Sequence, residues 1–191
     1  MPQIVPFAPE HAEGVVSVIL PIQQAEFGIP ITLDAQPDLE DIPGLYQRGD
    51  GNFWVALADG KVVGTLALLD IGSHQAALRK MFVASTHRGP EHGIAKALLE
   101  TLLAWCRARG VCEIYLGTTA SFLAAHRFYE KNGFREIPRQ ALPSSFPVMA
   151  VDPSSMRAPC KPPCAGLDPR YAGLVLSEVG TGRVPARWYD P

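Results

Sequence analysis

One stretch of the chain narrows the fold more than any other: a helical stripe that follows a β-rich run across a glycine loop. Ile94, Ala97, Leu98, Thr101, Leu102 and Trp105 recur at i, i+3, i+4, i+7, i+8 and i+11, the spacing of one face of an α-helix. Lys96, Glu100 and Arg107 fall off that stripe, and Gly110 follows Arg107 and Arg109 as a stop with cations at the negative end of the helix dipole. Upstream, residues 76–84 predict a strand, and the connection carries Gly89 and Gly93. A strand, a glycine loop and a four-turn helix in that order call for a sheet on which the helix can lay its apolar face.

The flanking sequence supplies the sheet. Residues 3–7 predict an opening strand, and a helical stretch runs from Pro9 and Glu10 to about Ala25, divided by Pro21. A short helix is expected from Pro37 to about Tyr46. Residues 53–58 and 62–70 are β-rich and flank Asp59-Gly60-Lys61, a hairpin signal. After the long helix come a strand at 113–117, a helix capped by Ser121 and ended by Asn132-Gly133, and strands at 134–137 and 146–151. This order suggests a mixed α/β sheet over residues 1–152. Residues 153–191 hold seven prolines and four glycines and predict a mostly irregular tail.

Composition closes off other classes. A net charge of −2 and a pI near 6.2 argue against a general nucleic-acid-binding surface. No apolar run is long enough to span a bilayer, and the start lacks a secretory pattern, so a cytoplasmic protein without membrane partners is expected. Cys106, Cys112, Cys160 and Cys164 have neither disulfide-scaffold nor zinc spacing and read as reduced thiols, with no metal site expected.

Two segments carry chemistry. The loop 83–95 feeds a helix N-terminus, where free N–H groups and the dipole favour an anion. Arg79, Lys80, His87, Arg88, His92 and Lys96 crowd this stretch against Glu91 alone. An anionic ligand such as a diphosphate fits; so does a Gly-Pro turn before a surface helix. The glycine spacing matches neither a Walker loop nor a dinucleotide fingerprint. In the second segment, 124–134, Ala125, Phe128 and Tyr129 share one helical face. By itself that pattern also describes a half-buried core tyrosine, and His126 beside it also reads as a solvated helix residue.

Together the segments resemble the GNAT superfamily of acetyl-CoA-dependent N-acetyltransferases. Arg88 and the run Gly93-Ile94-Ala95-Lys96-Ala97-Leu98-Leu99 are similar to its first signature, and Ala125 through Phe134 match its second. The resemblance covers about four-fifths of the chain. It implies a mixed, mostly antiparallel twisted sheet with splayed central strands and flanking helices. It implies acetyl-CoA as cosubstrate, without a metal, and a small-molecule or peptide amine as acceptor. On the matching residues it implies that Arg88, Gly89, His92, Gly93, Ile94, Ala95 and Lys96 hold the coenzyme's diphosphate. Met81, Phe82 and Val83 would offer backbone groups to the pantetheine arm and the thioester oxygen. Phe128 and Tyr129 would lie at the sulfur, with Tyr129 as proton donor to the departing thiolate. Glu26 falls where the first helices of such folds overhang the acceptor, a position for a base, although a solvated helix-end carboxylate would look the same. Asp38, Glu40 and Asp41 would form an acidic rim there, or a solvated helix start.

Three departures stand out. Arg88 lies five residues before Gly93 rather than three, Phe122 stands where an asparagine is common, and 75–78 carries no carboxylate. The missing carboxylate and Phe122 motivate an alternative, a non-catalytic acyl-CoA-binding or regulatory module of the same fold.

Overall fold

The computed structural model describes residues 2–118, 123–147 and 154–160. Seven strands form one sheet: β1 (Gln3–Pro6), β2 (Asn52–Ala58), β3 (Lys61–Gly72), β4 (Gln75–Val83), β5 (Glu113–Thr118), β6 (Arg135–Ile137) and β7 (Ser154–Pro159), in the order β1-β2-β3-β4-β5-β7-β6. Every neighbouring pair is antiparallel except β4 with β5. The helices are α1 (Ala12–Pro21), α2 (Pro37–Glu40), α3 (Ile42–Leu45), α4 (Ile94–Arg109) and α5 (Leu123–Lys131). This is the mixed, mostly antiparallel sheet with flanking helices that the sequence predicts.

The central strands are buried on both faces, so their side chains alternate between two cores rather than between core and water. Trp54, Ala56, Leu66, Leu68 and Leu78 pack with Ile94, Leu98, Leu99 and Leu102 of α4. Phe53, Val55 and Ala67 point the other way, against Val15 and Ile19 of α1, Leu39 and Ile42. The α4 stripe is rotated slightly from its expected centre. Leu99 and Cys106 are buried, while Thr101 and Trp105 lie at its margin. Trp105 instead donates its indole N–H to the Asp50 carbonyl (2.8 Å), under the Arg109 guanidinium.

Turn chemistry follows the sequence. Asp59 and Gly60 both take positive φ, 49° and 74°, as a tight hairpin requires, and Gly110 ends α4 at φ 73°. Pro21 ends α1, and a single π-turn, Ile22–Glu26, carries the chain on. The helix expected over 37–46 is two short ones, because Asp41 leaves helical geometry (φ −128°, ψ 64°) to cap α3 through the Gly44 N–H.

Two expectations need correction. Residues 154–159, read as irregular tail beyond Asp152, form β7, inserted between β5 and β6, with Met156, Ala158 and Cys160 buried. Flanking prolines and a run without alternation hide the strand; six cross-strand pairs with β5 make it. Cys112 is disulfide-bonded rather than a reduced thiol. Cys106 and Cys160 are free and buried, and the Cys106 S–H bond draws the Cys160 thiol below its ordinary value. The cap expected of Ser121, the substitution at Phe122, residues 148–151 of the strand expected at 146–151 and residues 161–191 lie outside the described residues. No helix among the described residues is long and apolar enough to cross a membrane.

Candidate active site

Parallel β4 and β5 pair over only three registers, Gln75 with Glu113, Ala76 with Ile114 and Ala77 with Tyr115. Beyond Ala77 no pair joins them among the described residues. From there to Val83, β4 presents an inner edge of backbone donors and acceptors that a neighbouring strand would otherwise take. The gap lies in the middle of the sheet, and the N-terminus of α4 follows directly on the β4 end of it.

The loop between them is shaped for close approach. Gly89 (φ 108°) and Gly93 (φ 64°) adopt conformations that side-chain-bearing residues avoid. Gly93 is the N-cap of α4 and offers no side-chain cap. The first intrahelical bond is from Ala97 to Gly93 (2.9 Å), so the N–H groups of Ile94, Ala95 and Lys96 have no helical acceptor. A sixteen-residue helix adds its dipole to those donors. The result is a cradle of free backbone donors at the place the sequence marks with Gly89 and Gly93. His87 and His92 flank it with ring centroids 5.7 Å apart. Lys96 turns along the helix to Glu100 (3.7 Å), away from the loop.

Arg88 and Glu26 meet. Arg88 Nη1 and Nη2 donate to the two Glu26 carboxylate oxygens at 2.6 and 3.0 Å, and its Nε donates to the Val83 carbonyl (2.7 Å). The bidentate fork ties the π-turn on the α1 side to the loop on the α4 side. The pair is partly solvated, with the two side chains 42% and 34% exposed.

Tyr129 stands on α5 and is buried against Phe128 and Phe134, with ring centroids 5.6 and 5.4 Å away. Its hydroxyl donates to Met81 Sδ (3.3 Å), on the edge of the gap. Burial pushes its pKa well above the ordinary tyrosine value, so the phenol keeps its proton at neutral pH and is a donor. The acceptor it has chosen is a divalent sulfur.

On the opposite face lies a cluster the sequence did not reveal. β4 carries a bulge: Thr65 pairs with Phe82 and Ala67 with Arg79, so Lys80 and Met81 together face Leu66. Lys80 sits there at φ 49°. Its buried ammonium meets Asp38 Oδ2 (3.1 Å) and donates to Gln36 Oε1 (2.6 Å), while its carbonyl accepts the Thr65 hydroxyl (2.7 Å). Tyr46 donates to the same Asp38 oxygen (2.6 Å), and Gln36 exchanges amide bonds with Gln23 of the π-turn. Burial draws the Lys80 pKa down to about 8, against the opposing pull of Asp38. Lys80 is therefore no part of the phosphate-side basic cluster, and the acidic rim dissolves. Asp38 is buried under Lys80, Asp41 is exposed but spent on capping α3, and Glu40 is exposed. A lysine at positive φ inside a strand has no signature in the sequence.

The profile of the acetyltransferase (GNAT) family matches residues 18–134. The chain belongs to the GNAT acetyltransferase family. The crystal structure of a GNAT-family acetyltransferase from Staphylococcus aureus Mu50 superposes with a TM-score of 0.79 at 39% identity, covering 84% of this chain and 100% of that one. N-acetylaspartate synthetase of Xenopus tropicalis is 41% identical over 102 residues, 52% of this chain and 37% of that protein. N-acetyltransferase family 8 member 2 of Rattus norvegicus is 38% identical over 106 residues, 53% of this chain and 46% of that one. The chain thus matches less than half the length of these two relatives. In this GNAT fold the cradle, the gap between β4 and β5 and the Tyr129 hydroxyl lie along one seam of the sheet.

Proposed function

We propose that this protein transfers an acetyl group from acetyl-CoA to the amine of a small acceptor by direct attack. One observation carries the reading: along a single seam lie an uncapped helix N-terminus behind two glycines, the parting of β4 from β5 beyond Ala77 among the described residues, and a protonated phenol aimed at a sulfur. In this reading the N–H groups of Ile94, Ala95 and Lys96, with Gly89, His92, Gly93 and Arg88, hold the diphosphate. Met81, Phe82 and Val83 offer backbone groups to the pantetheine amides and the thioester oxygen. Phe128 and Tyr129 cover the sulfur.

An ammonium of pKa about 10.4 is neutral in roughly one molecule in 2,500 at pH 7, a cost of about 4.6 kcal/mol. Glu26, once Arg88 turns to the diphosphate, is released as a carboxylate to take that proton. The neutral nitrogen bonds to the thioester carbon, the C–S bond breaks with its electrons on sulfur, and Tyr129 protonates the thiolate. The nitrogen sheds a proton as the amide forms, and the phenol is restored from solvent. The name of the Xenopus relative supports an amino acid as acceptor.

The test is incubation with acetyl-CoA and a panel of amino acids, polyamines and peptide N-termini, following free thiol. Turnover on an amino acid that falls at least tenfold in Tyr129→Phe is expected. Tight CoA binding with no turnover on any amine refutes the proposal and leaves a coenzyme-binding module.

A further inference from the structure

We propose that Lys80 and Asp38 form a positioning device that sets the β4 bulge, and with it the backbone at Met81 and Phe82, from the acceptor-side helices. The inference rests on the acetyl-transfer reading above and adds residues to it.

The bulge lies between two anchors. From the α4 side, the Tyr129 hydroxyl reaches Met81 Sδ. From the other side, Lys80 is held at three points, by Asp38, by Gln36 and through its carbonyl by Thr65. A non-glycine residue at φ 49° persists in a strand only where its surroundings impose it. The elements that impose it are α2, the chain before it and the π-turn, which reaches the cluster through Gln23. The same π-turn carries Glu26.

Stability does not explain the pair. Burial outweighs the attraction of Asp38 for the ammonium, and Asp38 Oδ1 is buried with no hydrogen-bond partner among the described residues. An ion pair of that kind is weak evidence for stability, and an apolar pair of similar volume often does as well or better. What the pair supplies is direction: one buried charge on the strand and one on the helix admit a single register. Among the described residues, the charged groups facing Lys80 include Asp38 from α2 and Arg79 from its own strand, and the neutral ones include Gln36, Thr65 and, beyond Asp38, Tyr46.

The experiment compares wild type with Lys80→Arg and with the double variant Lys80→Met/Asp38→Leu. Three quantities are followed: the pH profile of kcat, the KM for acetyl-CoA, and the amide chemical shifts of Met81 and Phe82 by 15N NMR. In wild type, kcat is expected to fall above pH about 8, with both amides titrating in step; in Lys80→Arg the falling limb and the titration vanish. The double variant keeps its melting temperature and its KM within about twofold but loses about 10- to 100-fold in kcat, the scale of a small misplacement at a reacting centre. Wild-type kcat in the double variant, or a limb near pH 8 that survives in Lys80→Arg, overturns the proposal. If wild type shows no turnover on any amine, the acetyl-transfer reading fails instead, and the amide titration alone decides. Its presence in wild type and loss in Lys80→Arg support the device, and its absence in wild type refutes it.

Discussion

In the proposed reading Glu26 and the coenzyme's diphosphate compete for one guanidinium, so removing the carboxylate should tighten coenzyme binding while slowing turnover. The perturbation is Glu26→Gln, which keeps shape and removes charge. Its size follows from exposure. The Arg88 and Glu26 side chains are 42% and 34% exposed, which places the pair among surface ion pairs, worth about 0.2–1 kcal/mol. Two-pronged geometry at 2.6 and 3.0 Å puts it at the upper end. Releasing Arg88 from about 1 kcal/mol of competition tightens CoA by roughly fivefold. The assay is isothermal titration of CoA into wild type, Glu26→Gln, Arg88→Ala and the double variant, at low and at moderate salt. Glu26→Gln should bind two- to fivefold tighter, with the gain shrinking as salt rises. Arg88→Ala should bind weaker, and adding Glu26→Gln to it should bring no gain. In the same variant kcat should fall, because the proton acceptor is gone. Unchanged or weaker CoA binding in Glu26→Gln, or a gain that persists without Arg88, refutes the competition.

Other expectations follow from single features. The cost of the buried Lys80 charge is fully present below pH 8 and is relieved as pH rises from about 8 toward 10.5, where the unfolded chain alone still binds the proton. The stability of wild type relative to Lys80→Met, read from urea midpoints, should therefore climb across that window by about 3 kcal/mol. Gly64→Ala places a methyl 3.1 Å from Ile94 Cγ2 and 3.3 Å from Leu98 Cδ1. It should cost about 1–3 kcal/mol and weaken CoA binding together, since Ile94 opens the cradle; weakened stability with unaltered CoA affinity would separate the two. Leu98→Ala, at a fully buried site under the sheet, should cost about 2–5 kcal/mol and lower the melting temperature by roughly 5–15 °C in a thermal scan.

Much of the fold was legible because local signals and tertiary demands agree. The α4 stripe, the Asp59-Gly60 turn and the Gly110 and Gly133 stops each specify a local conformation that the sheet also needs. The loop before α4 was legible for the same reason: it depends on a backbone conformation, and glycines mark it. Two things were not. The strand Ser154–Pro159 has no pattern of its own and exists through pairing with β5 and β6. The Lys80 cluster joins residues 23, 36, 38, 46 and 80, separations over which no periodicity operates. Lys80 beside Arg79 reads in one dimension as a basic surface, and only the bulge turns it inward. Asp38 reads as a helix start for the same reason: the sequence shows its charge and not what lies above it.

A sheet left open in its middle has a consequence for how much of the protein a cell can keep folded. In the proposed reading the parted strands form a native cleft whose backbone groups take an extended, amide-bearing guest. A guest that binds the native chain and not the unfolded one shifts the folding equilibrium by mass action, by about 2.7 kcal/mol at a hundredfold excess over its dissociation constant. Against the 5–15 kcal/mol typical of a domain this is a substantial share. If the protein binds CoA as proposed, coenzyme supply would set its lifetime as well as its rate, and a cell short of CoA would lose it to proteolysis sooner.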